Sequence, residues 1–206
     1  MSNHTEALSS SIPDDDAALV AAALTDDLAA FEALVNRHQK RMFNIAFRMI
    51  GEYEDAAEVV QDAFVAAYRN LKSFRAEARF TTWLTAITVN LSKNRLKQLK
   101  ARQFREPVSL DAPVALGDGK VAMDPPSNEP LVIDRLEQQD LQKKVQDCVS
   151  VLEPDFREVL VLRDLQDFSY EEIGGILKLA AGTVKSRLSR ARESVKECLK
   201  KAMAAF

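Results

Sequence analysis

The sequence predicts an all-α protein of two small helical domains joined by a flexible linker. Apolar residues recur at helical spacing along most of the chain, and the alternation typical of strands is nearly absent. Between Pro107 and Pro130 this periodicity stops, and five of the seven prolines lie there. An unstructured stretch of this length is unusual inside one domain. We therefore expect a first domain over 15–105, a flexible linker over 106–130 and a second domain over 131–206.

Three helices are predicted before the linker. The first pattern covers residues 15–50 and stops at Gly51, a residue type common at helix ends because it adopts left-handed backbone angles easily. The second covers 53–71 and has the clearest apolar face, and the third runs from about 80 towards 99. Residues 1–14 are polar and are predicted to form a disordered tail.

After the linker, two helices joined by a tight turn are predicted. Ser169 followed by Glu172 is a capping box, which marks a helix start. The next helix has an apolar stripe from Val184 to Val195, which leaves its basic residues on the remaining surface. This layout is typical of a helix-turn-helix whose second helix enters the DNA major groove. A surface helix with a solvated basic face is the alternative interpretation.

The charges are unevenly placed, although the net formal charge is only −3. Residues 1–36 carry seven acids and no lysine or arginine. Residues 67–106 carry ten bases against two acids, and residues 183–206 carry seven against two. Two basic segments in an acidic chain indicate contact with nucleic acid at two places.

Cys148 and Cys198 fit neither zinc-site spacing nor a dense disulfide framework. We expect them to be unreactive thiols in a reducing compartment. The amino terminus shows no signal peptide, and no apolar run is long enough to cross a membrane, so a cytoplasmic protein without membrane insertion is expected. No phosphate loop, nucleophile motif or metal-ligand spacing is present, which predicts a non-enzyme without a cofactor, metal or small-molecule substrate.

Asp55, Glu58 and Asp62 stack on one side of the second predicted helix. Metal ligation would require an accompanying Glu-x-x-His motif, which is missing. A docking surface for a basic partner and simple solvation remain, and the spacing alone favours solvation.

Aromatic and basic residues interleave from Phe74 to Trp83, with Arg75 and Arg79 between them. Single-stranded DNA is bound by this combination, since aromatic faces stack on bases and cations contact phosphates. The alternative is that the aromatic residues belong to the core. This alternative is strong for Trp83, whereas Phe74 is expected to be more exposed.

Three motifs resemble the extracytoplasmic-function group of sigma factors in the sigma-70 family. They are the Asp55–Phe64 segment, the segment from Phe80 to Leu84 with Val89-Asn90, and the segment from Gly182 to Arg192. The order and spacing of all three make the resemblance specific. It implies a region 2 domain that binds core polymerase and the −10 element, and a region 4 helix-turn-helix domain that binds the −35 element.

The resemblance also implies partners and site residues. The partners are bacterial RNA polymerase core, through its β′ clamp helices and β flap, promoter DNA and a cognate anti-sigma factor. The residues implied for core binding are Asp55, Glu58, Gln61 and Asp62. Those implied for the −10 element are Phe74, Arg75, Arg79, Trp83 and Asn90, beside a loop that captures a flipped base. Those implied for the −35 element are Thr183, Lys185, Ser186, Arg187, Ser189 and Arg190.

Some positions differ from the family pattern. Thr85-Ala86 stands where many members have Tyr-Arg, and Lys178 replaces a common glycine in the turn. Ala180 replaces a common Ser or Pro at the helix start, where a lost cap costs about 1 kcal/mol.

Two other functions are compatible with parts of the sequence. An independent helix-turn-helix regulator would bind a palindromic operator as a dimer, but only a short apolar stretch near the carboxy terminus is offered for dimerisation. A protein-interaction adaptor would not need the basic residues of the last helix. The amino-terminal motifs have no role in an independent regulator, so a promoter-specificity subunit is the leading hypothesis.

Overall fold

The computed structural model describes residues 16–105 and 132–204, with side chains described at 16–102 and 140–204. The tail predicted at 1–14 and the linker predicted at 106–130 lie outside these residues. The helices, in chain order, are α1 (Ala17–Leu24), α2 (Leu28–Ile50), α3 (Tyr53–Asn70), α4 (Phe80–Arg105), α5 (Val132–Ser150), α6 (Pro154–Leu160), α7 (Tyr170–Leu177) and α8 (Ala181–Ala204). A 3₁₀ turn (Leu71–Ser73) follows α3, and a π-helical turn (Val161–Leu165) follows α6. The described residues contain no strand, which confirms the all-α prediction.

The single helix predicted over 15–50 is two helices. Asp26 adopts a left-handed φ of 63°, and the Asp27 side chain accepts a hydrogen bond from the Ala30 amide at 3.2 Å. Aspartate favours helix starts because its carboxylate satisfies an amide that the first turn leaves unpaired. The Asp26-Asp27 pair therefore ends α1 and begins α2. At the other end of α2, Gly51 has a φ of 94°, as its role as a helix stop predicts.

Helices α2, α3 and α4 pack against one another, and α1 packs against α2. Leu34, Met42 and Phe80 are fully buried among them. The core also contains buried hydroxyl groups of α4 that hydrogen-bond within the helix. Thr88 donates to the Leu84 carbonyl oxygen at 3.0 Å and Ser92 donates to that of Thr88 at 2.8 Å. Such bonds satisfy a hydroxyl group that would otherwise be costly to bury.

Helices α7 and α8 form the predicted helix-turn-helix. The Ser169 hydroxyl accepts from the Glu172 amide at 3.1 Å, and the Glu172 carboxylate accepts from the Ser169 amide at 2.9 Å, which confirms the capping box. Helix α7 ends at Lys178, whose φ of 55° is left-handed. The turn is closed by a 2.9 Å hydrogen bond from the Leu179 amide to the Gly174 carbonyl oxygen. Lysine thus occupies a left-handed backbone conformation that favours glycine.

The turn also explains Gly174. A Cβ atom built there would lie only 2.8 Å from the backbone oxygen of Leu179, whereas at Gly175 nothing lies within 4 Å. Gly174 therefore allows the chain leaving α7 to pass close to the helix.

The α5–α8 group packs against the α1–α4 group through buried polar contacts. Arg157 of α6 donates to the Met49 carbonyl oxygen of α2 at 2.5 Å, and within its own group to the carbonyl oxygens of Ser150 and Leu152. Burial lowers the pKa of Arg157. Buried apolar residues of both groups form one continuous cluster.

Cys148 of α5 and Cys198 of α8 form a disulfide bond, with Cα atoms 5.7 Å apart. The expectation of two unreactive thiols was therefore wrong. A separation of 50 residues hides the pairing from the sequence, because only the packing of α5 against α8 brings the two residues together.

Candidate nucleic-acid interface

The four residues predicted to bind core polymerase lie along one side of α3. Glu58, Gln61 and Asp62 are exposed, and Asp55 is half-buried. Arg95 of α4 donates to Asp55 at 2.5 and 2.8 Å and lies 2.7 Å from Glu58. The hydrogen bond with Asp55 raises the pKa of Arg95. The structure thus orders the first half of this acidic face by an ion pair.

Phe74, Phe80 and Trp83 form one aromatic cluster at the start of α4. The ring centroid of Phe74 lies 5.2 Å from that of Trp83 and 6.0 Å from that of Phe80. Phe80 is fully buried, whereas Phe74 and Trp83 are both half-buried. Phe74 is therefore not a freely exposed ring, because it packs against the two other rings. The cluster presents two partly exposed aromatic edges beside the connector.

The other residues predicted to contact the −10 element lie in the connector before α4 and on α4 itself. Arg75, Arg79 and Asn90 are exposed. Asn90 follows Trp83 by two helical turns, so both side chains lie on the same face of α4. This face combines aromatic, basic and amide groups, which is the chemistry that binds an unpaired strand.

Asp16 is a buried carboxylate that contacts α2 and the start of α4, and sequence reasoning missed it. It is 3% exposed, and its carboxylate lies 2.7 Å from His38 Nε2 and accepts a long, 3.5 Å hydrogen bond from the Thr81 hydroxyl. Arg37 also donates to this carboxylate at 2.7 Å, and the three partners are 21, 22 and 65 residues away, so no local pattern could have revealed the contacts.

Four of the six residues predicted to read the −35 element form an exposed face on the first turns of α8. They are Lys185, Ser186, Ser189 and Arg190, whereas Thr183 is half-buried. Val184 and Leu188 hold the opposite face in the core. The buried stripe thus turns these polar and basic side chains outward.

Arg187 differs from its neighbours, since it points towards α6. Its guanidinium lies 2.6 Å from Asp155 and 3.6 Å from Glu158. Arg192 is also paired, at 2.6 Å from Asp164. Both ion pairs join α8 to the helical segment before the helix-turn-helix. Arg187 and Arg192 therefore hold α8 against the preceding segment, and Lys185 and Arg190 carry the outward charge.

Glu158 links the two groups of helices. It is 2% exposed, and its carboxylate lies 2.8 Å from Lys93 of α4 on one side, with Arg187 on the other. Desolvation raises the pKa of Glu158, and the hydrogen bond from Lys93 partly opposes this. The sequence gives no sign of this site, because its three charges come from α4, α6 and α8.

A cleft between the two groups lies next to the predicted −10 surface. Arg79 and Thr82 line one side, and Asp167 and Glu172 line the other. The Thr82 hydroxyl lies 3.4 Å from the Glu172 carboxylate. In this arrangement, acidic residues of the second group therefore face the start of α4.

Within the described residues, no group of three or more His, Cys, Asp or Glu side chains could hold a metal ion. Among the same residues, no helix is long and apolar enough to span a membrane.

Comparison with known families matches both halves of the chain. The Sigma-70 region 2 family matches residues 34–102, and the Sigma-70 region 4 family matches residues 142–195. The first match contains α3 and the whole aromatic cluster of Phe74, Phe80 and Trp83. The second contains α6, α7 and most of α8.

Curated relatives match over most of their length. The ECF RNA polymerase sigma-E factor of Haemophilus influenzae is 36% identical over 186 residues, which covers 87% of this chain and 93% of the relative. The RNA polymerase sigma-H factor of Pseudomonas aeruginosa is 33% identical, covering 90% and 94%. The sigma factor SigW of Bacillus subtilis, also an ECF RNA polymerase sigma factor, is 31% identical, covering 84% and 91%.

Two solved structures share the fold. CnrH, in complex with the cytosolic domain of CnrY, aligns with a TM-score of 0.64 and 25% identity, covering 92% of this chain and 99% of that one. The sigma factor RpoE of Bartonella quintana, in complex with the anti-sigma factor NepR, aligns with a TM-score of 0.59 and 25% identity, covering 82% and 96%. Together with the curated relatives, they confirm the resemblance and do not support an independent operator-binding regulator. This chain belongs to the extracytoplasmic-function RNA polymerase sigma factors.

Proposed function

We propose that this protein binds bacterial RNA polymerase core, recognises −10 and −35 promoter elements and directs transcription initiation. The observation that carries the proposal is the separation of three surfaces of different chemistry within the two matched regions. An acidic face lies on α3, an aromatic and basic face on α4, and a basic reading face on α8. Each surface suits one of the three contacts that initiation requires.

The acidic face of α3 is proposed to dock on basic residues of the β′ clamp helices. Arg95 forms ion pairs with both Asp55 and Glu58, which fixes these two carboxylates before the partner binds. Gln61 and Asp62 extend the same face by one turn. Complementary charge between this acidic face and a basic partner speeds association and fixes the register of the two proteins.

The cluster at the start of α4 is proposed to hold an unpaired base of the −10 element. Extruding a base costs a few kcal/mol of stacking and pairing. Stacking on an aromatic side chain returns about 1–3 kcal/mol per base, and Phe74 and Trp83 offer partly exposed rings for it. The exposed Arg75 and Arg79 are proposed to contact the neighbouring phosphates.

The outward face of α8 is proposed to read the −35 element in the major groove. Lys185 and Arg190 would pair with base edges or phosphates, and Ser186 and Ser189 would add hydrogen bonds. Arg187 is assigned a different role from the one its position in the sequence suggests. It orients α8 through Asp155 and Glu158.

A cognate anti-sigma factor is proposed as a further partner. Both structural relatives described above are complexes, and NepR is an anti-sigma factor. We further propose that residues 15–105 and 131–206 are separate domains and that the protein acts in the cytoplasm, where polymerase and DNA are. The protein acts by binding alone, since its family consists of initiation factors.

Binding to purified core polymerase tests the docking surface. Asp62→Lys reverses an exposed charge on α3 and is expected to weaken core binding at least tenfold, which corresponds to about 1.4 kcal/mol. A fluorescently labelled protein titrated with core would give the two dissociation constants. The matched control is Glu32→Lys, because Glu32 is an exposed acid of α2 outside every proposed surface. Equal affinities for the two variants would refute the assignment of α3.

A further inference from the structure

The disulfide between Cys148 and Cys198 encloses the whole reading unit. Cys148 lies in α5 and Cys198 in α8, so α6, α7 and the reading face of α8 all lie within the closed loop of 50 residues. The bond therefore joins the first and last helices of the carboxy-terminal group.

The bond anchors a part of α8 that has little other support. The buried residues of α8 are Val184, Leu188 and Ala191, and none of its described residues after Ala191 is buried. Beyond that point only Val195, Cys198, Leu199 and Ala202 are half-buried. Hydrophobic packing is therefore weak where the disulfide lies, and the covalent bond holds this part of α8 against α5.

We propose that Cys148 and Cys198 are a reversible oxidation site, and that the disulfide form holds α8 in the orientation that reads the −35 element. The second part rests on the proposed function. In a reducing cytoplasm, a protein disulfide is usually transient and redox-sensing. A bond formed there would report an oxidant, and its loss would loosen the reading helix.

The proposed oxidant is a hydroperoxide. Cys198 is half-buried and Cys148 is 2% exposed, so Cys198 is the thiol that an oxidant can reach. Its thiolate attacks a peroxide oxygen, the O–O bond breaks, and protonation releases water or an alcohol while Cys198 becomes a sulfenic acid. The Cys148 thiolate then forms the S–S bond, and the sulfenic oxygen leaves as water.

Reduction by a cellular dithiol reverses this two-electron change. The dithiol first forms a mixed disulfide with one cysteine, and its second thiolate then releases the protein as two thiols.

The test compares oxidised and reduced full-length protein. After hydrogen peroxide, both cysteines should resist alkylation by a maleimide that shifts the mass, and dithiothreitol should restore two reactive thiols. Because the cross-link restricts a long loop of the unfolded chain, reduction should lower the melting temperature by about 10 °C or more. Transcription from a promoter that needs its −35 element should then fall severalfold at a temperature between the two melting points.

Cys198→Ser is the matched variant, because this side chain is only half-buried and the change should be tolerated. Its melting temperature should equal that of the reduced protein and should not change after hydrogen peroxide treatment. The proposal fails if peroxide leaves both thiols reactive or links two chains, or if both redox forms melt together. The second part of the proposal, that the disulfide form orients α8 for the −35 element, fails if both forms give equal transcription. If thiol reactivity and melting respond as expected but neither form transcribes with core, the proposed function fails and the oxidation site stands.

Discussion

Arg187 and Arg190 lie three residues apart on α8, but their side chains have different surroundings. Both were predicted to read DNA, but Arg190 lies on the outward face and Arg187 is paired with Asp155 at 2.6 Å. Helical periodicity gives the buried stripe of α8 and hence the general direction of its bases. It does not reveal Asp155 or Glu158, because these partners come from another helix. The sequence could therefore predict the exposed basic face of α8, but not which of its arginines form ion pairs with other helices.

Arg190→Ala is expected to weaken recognition of the −35 element by about 1–3 kcal/mol, since a well-placed arginine contributes that much discrimination. Run-off transcript yield should fall on a promoter with an intact −35 element and change little on one in which that element is already scrambled. The control is Lys196→Ala, which removes an exposed base of the same helix that is paired with Glu193. Equal losses for the two variants would contradict base reading by Arg190.

Glu158 gives the stability of the protein a pH dependence of defined sign. Burial raises its pKa above 4.5 in the folded state. Between pH 4.5 and the raised pKa, the folded protein holds a proton that the unfolded chain releases. The contribution of Glu158 to the free energy of unfolding therefore falls as pH rises through this window.

Comparison with Glu158→Gln isolates this contribution, because glutamine does not titrate and the other groups cancel. The melting temperature of the wild type minus that of the variant should increase as pH is lowered from 7 towards 5. A difference that decreases over this range would show that the ion pairs with Lys93 and Arg187 outweigh the burial of Glu158.

At the scale of elements, local sequence signals predicted several helix starts, helix ends and buried helix faces. The capping box at Ser169, the stop at Gly51 and the apolar stripes of α3 and α8 were all found. The break at Asp26-Asp27 was missed because helical periodicity continues across it, although an aspartate that can cap a helix was the available signal. The π-helical turn (Val161–Leu165) has no recognisable signal in the sequence.

Gly174 and Gly175 form a matched pair in α7 with opposite expectations. Gly175→Ala should stabilise the protein by about 0.5–1 kcal/mol, because alanine restricts the unfolded chain and nothing lies within 4 Å of the new Cβ. Gly174→Ala should destabilise it, since its Cβ would meet the Leu179 oxygen at 2.8 Å. Chemical denaturation of the two variants gives both values. If both variants change the free energy of unfolding by a similar amount with the same sign, the close approach of the Leu179 oxygen to Gly174 is ruled out.

At the scale of the molecule, the two groups of helices cannot remain as packed and contact both promoter elements. The elements lie about 25 base pairs apart, or roughly 85 Å at about 3.4 Å per base pair. A compact body of this size has a radius of gyration of only about 16 Å. Residues 106–131 join α4 to α5, and a fully extended chain of 26 residues reaches about 90 Å. The connection is therefore long enough for the groups to separate.

The contacts that must then break are polar as well as apolar. Arg157 would leave the Met49 carbonyl oxygen, and Lys93 would leave Glu158. Acidic residues would also leave the cleft beside Arg79. The sequence predicted the two helical groups and the proline-rich segment between them. It could not predict their packing, because each of these contacts joins residues far apart in the chain.

Run-off transcription with purified core polymerase, with and without this protein, tests the central claim most directly. The template is the region upstream of its own gene, together with a promoter recognised by one of the related sigma factors. We expect a discrete transcript that requires the protein and is lost in Trp83→Ala and Arg190→Ala, but not in Lys196→Ala. If the protein binds a palindromic DNA by itself, and core neither binds it nor yields a transcript from either template, the account is contradicted.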